Sequence, residues 1–196
     1  RRAVLVDLDH PGVAETSSAW PALGLAPIRT VGLGFDAVPG TAVGGPEWYL
    51  RRPGFAWGGI GVAAVWLGAA QALLATLRAA AERRPPDQIA LAHLGRADSL
   101  VHGSLSVLDA AAGAIGAGAA VGSRGAVLAH RVRASCAGTA EGLVAIVGHA
   151  LGPGPLTADE EHARRVADLT VYVRQHHAER DLARLGSLLL GGGEDA

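Results

Sequence analysis

Apolar and polar positions change their rhythm near residue 54. Ahead of it, apolar residues come in short runs closed by turn residues. Ala3 to Asp9 is one such run and ends in His10-Pro11-Gly12. Ile28 to Phe35 alternates apolar residues with glycine, and Phe35-Asp36-Ala37-Val38 closes in Pro39-Gly40. Short runs punctuated by Pro and Gly predict strands and turns. Two or three strands do not make a stable sheet alone. They are expected to pack on the end of the helical part, or to belong to a larger sheet.

From Phe55 the pattern becomes helical and rich in Ala and Leu. It predicts a first helix over 55–83, stopped by Pro85-Pro86, and a second over 88–115 with Asp87 as its cap. Gly116 to Gly125 reads as a loop, and a third helix covers 126–151. Gly152-Pro153-Gly154-Pro155 ends that helix. Thr157-Ala158-Asp159-Glu160 is a capping-box pattern that opens a fourth helix, continuous or broken once, to Leu190. Four long helices with short connections predict an antiparallel bundle. The fold class is therefore mainly α, a four-helix bundle preceded by a few strands of an incomplete β domain. Residues 1–53 form the β part, 54–190 the bundle, and 191–196 an expected disordered tail.

Gly54 to Leu77 carries no charge and lies between Arg51-Arg52 and Arg78. A bilayer needs roughly 20 apolar residues, so the segment is long enough. Gly58, Gly59, Gly61 and Gln71 dilute it, and the second and third helices carry Asp98, Asp109, Arg131, Arg133 and Glu141. A central helix buried on all sides by its own bundle is the expectation, with no membrane span.

Composition narrows the function classes. The 196 residues are 49% hydrophobic, enough for a real core, with a formal charge of −1. That balance gives no electrostatic footprint for nucleic acid. A lone cysteine, Cys136, excludes a disulfide scaffold, and it is expected to be a buried, inert thiol. All 17 basic residues are Arg, and the chain has no Met. It opens directly on a strand pattern, so earlier chain is expected to be missing. With no signal peptide ahead of that strand, a cytoplasmic location is expected.

Eight histidines are the obvious chemical candidates. His176 and His177 are adjacent and point about 100° apart on a helix, while His177 and Asp181 share a face at i,i+4. No spacing supports a metal site. His93 and His102 read as a polar face of the second helix. His149 sits at a helix C-terminus, where the dipole favours a cation. Gly32-Leu33-Gly34 and Gly116-Ala117-Gly118 do not extend to a dinucleotide fingerprint.

Several motifs together carry a family resemblance. Val43-Gly44-Gly45-Pro46-Glu47-Trp48-Tyr49-Leu50-Arg51-Arg52-Pro53-Gly54-Phe55 resembles the junction between the middle β domain and the C-terminal helical domain of acyl-CoA dehydrogenases. Gly61-Val62-Ala63-Ala64 with Leu67-Gly68-Ala69-Ala70 resembles the first helix of that domain. His149-Ala150-Leu151-Gly152-Pro153-Gly154 sits at its glycine turn, and the stretch from Val171 to Leu182 resembles its closing helices. The resemblance spans nearly the whole chain.

It implies a partial chain of a flavin-dependent oxidoreductase acting on an acyl-CoA or related small molecule. FAD would lie between domains and across a subunit interface of a homo-oligomer. The family takes the substrate's α-proton with a carboxylate, at one of two positions. One falls here on Gln175-His176 and the other on Ala56-Trp57-Gly58-Gly59, and neither holds Asp or Glu. His176 or His177 is therefore the expected proton-transfer residue, an imidazole being suited to that task near neutral pH. Arg83 and Arg84 take the place of the family's FAD-contacting arginine, and His149 and Gly152 that of its second cofactor contact. A flavin monooxygenase of the same fold and a non-catalytic partner subunit are the alternatives.

Overall fold

The computed structural model describes residues 1–16 and 20–191. The expected tail, past Gly191, lies outside the described residues. Four short strands precede the helices: β1 (Ala3–Val6), β2 (Val13–Thr16), β3 (Gly32–Phe35) and β4 (Gly40–Val43). They pair as two nested antiparallel ladders, β1 with β4 and β2 with β3. The Asp36 amide donates to the Gly12 carbonyl at 2.9 Å and extends the β2–β3 ladder by one position. The expected strand at the N-terminus and the Gly-alternating one are present. β2 is an addition, and Gly40 opens a strand where the sequence pattern predicts a closing turn.

A short helix, α1 (Trp48–Arg51), leads into the long α2 (Pro53–Arg83). Pro53 fits the first helical position, because its missing N–H would have no partner there. α2 buries Ile60, Ala63, Trp66, Leu67, Ala70, Leu73, Leu74 and Leu77, a stripe at three- and four-residue spacing. It packs mainly on α4 (Gly122–Leu151) and then on α3 (Gln88–Gly116). Asp87 caps α3 as expected, its carboxylate accepting the Ala90 amide at 2.8 Å. α3 meets α4 through small residues and hydroxyls. Ser104 Oγ lies 2.8 Å from both Ser135 Oγ and Thr139 Oγ1, so these buried polar atoms satisfy one another.

The fourth helix is not one helix. It comprises α5 (Gly154–Ala158), α6 (Glu160–Tyr172), a 3₁₀ turn at Val173–Gln175, and α7 (Glu179–Leu189). Thr157 does not cap it, because its hydroxyl bonds back to Pro153 O and Gly154 O at 3.1 Å. Asp159 caps α6 instead, accepting the His162 amide at 3.0 Å. The break before α7 turns at Ala178, whose φ of 46° no ordinary helix permits. α2 and α4 are both long and apolar enough by length and composition to cross a membrane. Their buried stripes face each other in this bundle.

The strands do not pack on the bundle's end, contrary to the sequence expectation. Most of their side chains are exposed, among them Leu5, Leu33 and Phe35. The contact that fastens this part is made by the segment between β2 and β3. Leu25 N–H donates to Asp168 Oδ1 on α6 at 2.5 Å, and Trp20 Nε1 closes the turn on Gly24 O at 3.0 Å. Gly24 touches α6 so closely that a Cβ there would stand 2.2 Å from the Ala167 carbonyl oxygen. Gly24→Ala is therefore expected to detach residues 20–28 while sparing the bundle. Limited proteolysis should cut that segment much faster, with the thermal midpoint of the helices nearly unchanged. Equal cleavage rates would show that the contact does not hold it.

Candidate functional site

Arg133 organises the region where α7 meets the start of α2. It projects from α4, and its side chain is only 16% exposed. Its guanidinium lies 5.0 Å from the Trp66 ring centre, within cation–π range. Nη2 donates to the Gln175 carbonyl at 2.5 Å and Nη1 to the Gly59 carbonyl at 3.4 Å. Asp181 Oδ2 stands 3.7 Å from Nη2 and supplies the counter-charge. One side chain thus ties α2, α4, the 3₁₀ turn and α7 together.

Asp181 in turn holds His177. Its carboxylate accepts the His177 backbone N–H at 3.2 Å and faces the ring Nδ1 at 3.3 Å. Burial by itself would raise the Asp181 carboxyl. The backbone and ring hydrogen bonds of His177, with the His176 and Arg133 charges, outweigh it and hold the group below its ordinary value. A carboxylate at Nδ1 favours the tautomer with the proton there and leaves Nε2 as a free acceptor. The i,i+4 pairing expected from the sequence is therefore formed, with α7 beginning between its two members.

These groups edge a cavity of about 650 Å³, within the range of roughly 300–1,000 Å³ usual for small-molecule sites. His130, Arg133, His177 and Asp181 form one wall. Gly54, Ala56, Gly58 and Gly59, at the start of α2, form a floor of small residues. Tyr49, Arg52 and Phe55 also line the cavity: the Arg52 guanidinium lies 4.4 Å from the Tyr49 ring centre, and Tyr49 meets Phe55 edge-on at 5.8 Å.

The two histidines expected from the sequence part company here. His177 lines the cavity, whereas His176 does not. The His176 ring is half-buried and its Nε2 is buried without a partner. The residues expected to hold a cofactor lie elsewhere. Arg84 and His149 line a second cavity of about 460 Å³ with Pro85, Pro86 and His93. Arg83 is exposed outside it, and Gly152 ends α4 at a φ of 63°. Arg84 follows Gly59 by 25 positions along α2, or about 37 Å of helix. One chain does not bring the two sets of residues together. Cys136 is buried, and burial pushes its thiol up to about 11, as an inert core position requires. No cluster of three or more metal-ligating side chains exists among the described residues.

Sequence reasoning missed His130 and the role of Arg133. A signal was present. His130 and Arg133 are i,i+3 on an Ala-rich helix, one turn apart on one face. The same helix carries its buried stripe through Ala129 and Val132.

No protein-family model matches the chain, and no curated protein matches it as a relative. Solved structures do match. The fold resembles KijD3, solved in complex with FMN and dTDP-3-amino-2,3,6-trideoxy-4-keto-3-methyl-D-glucose. That match has 25% identity and a TM-score of 0.77, and covers 95% of this chain and 50% of the other. A variant of the Tcur3481–Tcur3483 steroid ACAD, an acyl-CoA dehydrogenase, matches at 22% identity and a TM-score of 0.77. It covers 96% of this chain and 52% of the other. The chain has an acyl-CoA dehydrogenase-like fold and spans about half the length of each of these structures.

Proposed function

From that fold, and from an imidazole–carboxylate pair at the edge of a ligand-sized cavity, we propose a flavin-dependent oxidoreductase of the acyl-CoA dehydrogenase type. The substrate is an acyl-CoA or a related small molecule, and His177 is the proton-transfer residue. The observation that carries this reading is His177 at the cavity edge with Asp181 fixing its Nδ1. In the family the base is a carboxylate, and the carboxylate that lines this cavity, Asp181, is already engaged by Arg133 and His177.

The chain's own part follows from the geometry. His177 Nε2 takes the proton from the carbon beside the substrate's carbonyl. Asp181 keeps the Nδ1 proton in place and balances the charge of the imidazolium. Arg133 holds both by fixing the turn that carries them. A bound FAD would supply the hydride acceptor. The small residues at the start of α2 leave open space on that side of the cavity: a Cβ added at Gly58 would meet nothing within 4 Å. Arg84 and His149 line a cavity suited to a charged portion of a cofactor, with charge-assisted bonds from the guanidinium. Their distance from His177 within one chain supports a site completed by a second copy, hence a homo-oligomer. The FMN in the KijD3 complex favours one second reading, a flavin monooxygenase of the same fold.

Titration of the protein with FAD and with FMN, followed by flavin fluorescence, tests this. One of the two is expected to bind. Co-expression of Arg84→Ala with His177→Gln chains should then restore activity that neither variant has alone. If neither flavin binds, the flavin-dependent reading fails for this chain. If co-expression restores nothing, the site is not shared between copies.

A further inference from the structure

Three side chains of fixed charge line the cavity: Arg52, Arg133 and Asp181. Two of them answer each other, since Asp181 Oδ2 stands 3.7 Å from Arg133 Nη2. The same carboxylate also faces the His177 ring. The lining therefore sets two guanidinium cations against one carboxylate. Among the described residues Arg52 has no ion pair, and the one hydrogen bond of its side chain runs from Nε to the Tyr49 carbonyl at 3.3 Å.

The surroundings of the Arg52 guanidinium hold it without neutralising it. It lies 4.4 Å from the Tyr49 ring centre and 5.6 Å from that of Trp48, both within cation–π range. Aromatic rings orient a planar guanidinium and leave its edge N–H groups able to donate. Nη1 lies near Gly54, where an added Cβ would stand 3.5 Å from it, and Gly54 lines the cavity too. Both Nη groups are thus donors on the lining with no acceptor among the described residues. An unanswered cation in a partly enclosed site is costly, and an anionic ligand removes that cost.

We propose that Arg52 is the anion-recognition residue of this cavity, and that the substrate carries a carboxylate or phosphate on the same part of the molecule as its reacting carbon. The proposal rests on the reading of this cavity as a proton-transfer site, and narrows the substrate class of that site. A guanidinium donates two parallel N–H bonds to carboxylate or phosphate oxygens, which fixes the orientation of the ligand as well as its position. Arg52 and His177 line one cavity. The anionic group and the carbon that His177 deprotonates therefore belong to one compact piece. The phosphates of a CoA lie at the far end of its pantetheine arm, so a CoA moiety does not supply the group at this place. The pairing of Asp181 with Arg133 keeps the one carboxylate of the lining from repelling an incoming anion.

Nitrogen-15 spectra of the arginine Nε–H groups, recorded on the flavin-free protein, test this by titration. The Arg52 signal is the one absent from Arg52→Met. Butyrate and inorganic phosphate are the anionic probes, and butyramide is the uncharged control. The Arg52 signal is expected to shift to saturation with at least one anion and to ignore butyramide. Followed at the Gly54 amide, binding should weaken by about tenfold or more in Arg52→Met, the usual loss for a charge-assisted bond. It should weaken less in Arg52→Lys, which keeps the charge and loses the fork. Arg51→Met removes the exposed neighbouring cation and should leave binding unchanged. Saturation by butyrate assigns the group to a carboxylate, and saturation by phosphate alone to a phosphate ester. An Arg52 signal that moves with neither anion, or equal binding in Arg52→Met, overturns the proposal. A shift of that signal by FMN and not by riboflavin also overturns it, because the anion read there is then the cofactor's. The anion titrations use no flavin, so their failure and a failure of flavin binding are separate results.

Discussion

Trp66→Ala is expected to destabilise the protein by about 3–5 kcal/mol, the usual range for removing a large aromatic side chain from a core. Trp66 is fully buried at the centre of the α2 stripe. It meets Tyr172 of α6 edge-on, with ring centres 6.2 Å apart and an interplanar angle of 87°. Its outer face carries the Arg133 guanidinium. The indole Nε1 has no partner, so the loss is one of packing and of the cation–π contact rather than of a hydrogen bond. The truncation leaves a cavity between α2 and α6 and takes away the surface against which Arg133 is aligned. Trp66→Phe keeps an aromatic face and should cost much less. Denaturant unfolding of both variants measures the difference. Equal losses would mean that an aromatic face at this position does not support Arg133.

The helical half of this arrangement is legible in the sequence because it rests on local signals. Pro85-Pro86, the Asp87 cap and the Gly152-Pro153-Gly154-Pro155 stop are punctuation, and α2, α3 and the end of α4 fall where it puts them. The break at Val173–Gln175 is not legible. Nothing in Val171-Tyr172-Val173-Arg174-Gln175 forbids a helix. The turn is imposed by Arg133, more than 40 positions earlier, which captures the Gln175 carbonyl. The N-terminal part is obscure for a related reason. Its strands are written locally, yet their attachment depends on Gly24 and Leu25 reaching Asp168, a contact between residues 143 positions apart.

The candidate site divides along the same line. The pairing of His177 with Asp181 is an i,i+4 relation, and a sequence displays it. The arrival of His130 in the same wall depends on how α4 and α7 pack, and no spacing encodes that. The separation of Arg84 and His149 from His177 is visible only once α7 is seen to dock on α4 near the start of α2.

That helix geometry makes His177→Gln the variant with the largest expected effect on chemistry. General acid–base groups contribute about 10²–10⁴-fold to rate, and turnover should fall by that order. Glutamine keeps a polar group of similar reach, so flavin binding and fold are expected to stay intact. Asp181→Asn should fall less, because the ring remains but its tautomer is no longer enforced. The pH dependence separates the two roles. Asp181 is held below the ordinary carboxylate value, so it stays ionised wherever an imidazole titrates. Its stabilising contribution is present above the unfolded carboxyl pKa and is lost as pH falls through the lowered folded one. Loss of turnover on mild acidification therefore does not come from the Asp181 carboxylate. Unchanged turnover in His177→Gln, with flavin bound and the fold intact, would remove His177 from the reaction and leave His130 as the imidazole at the cavity wall.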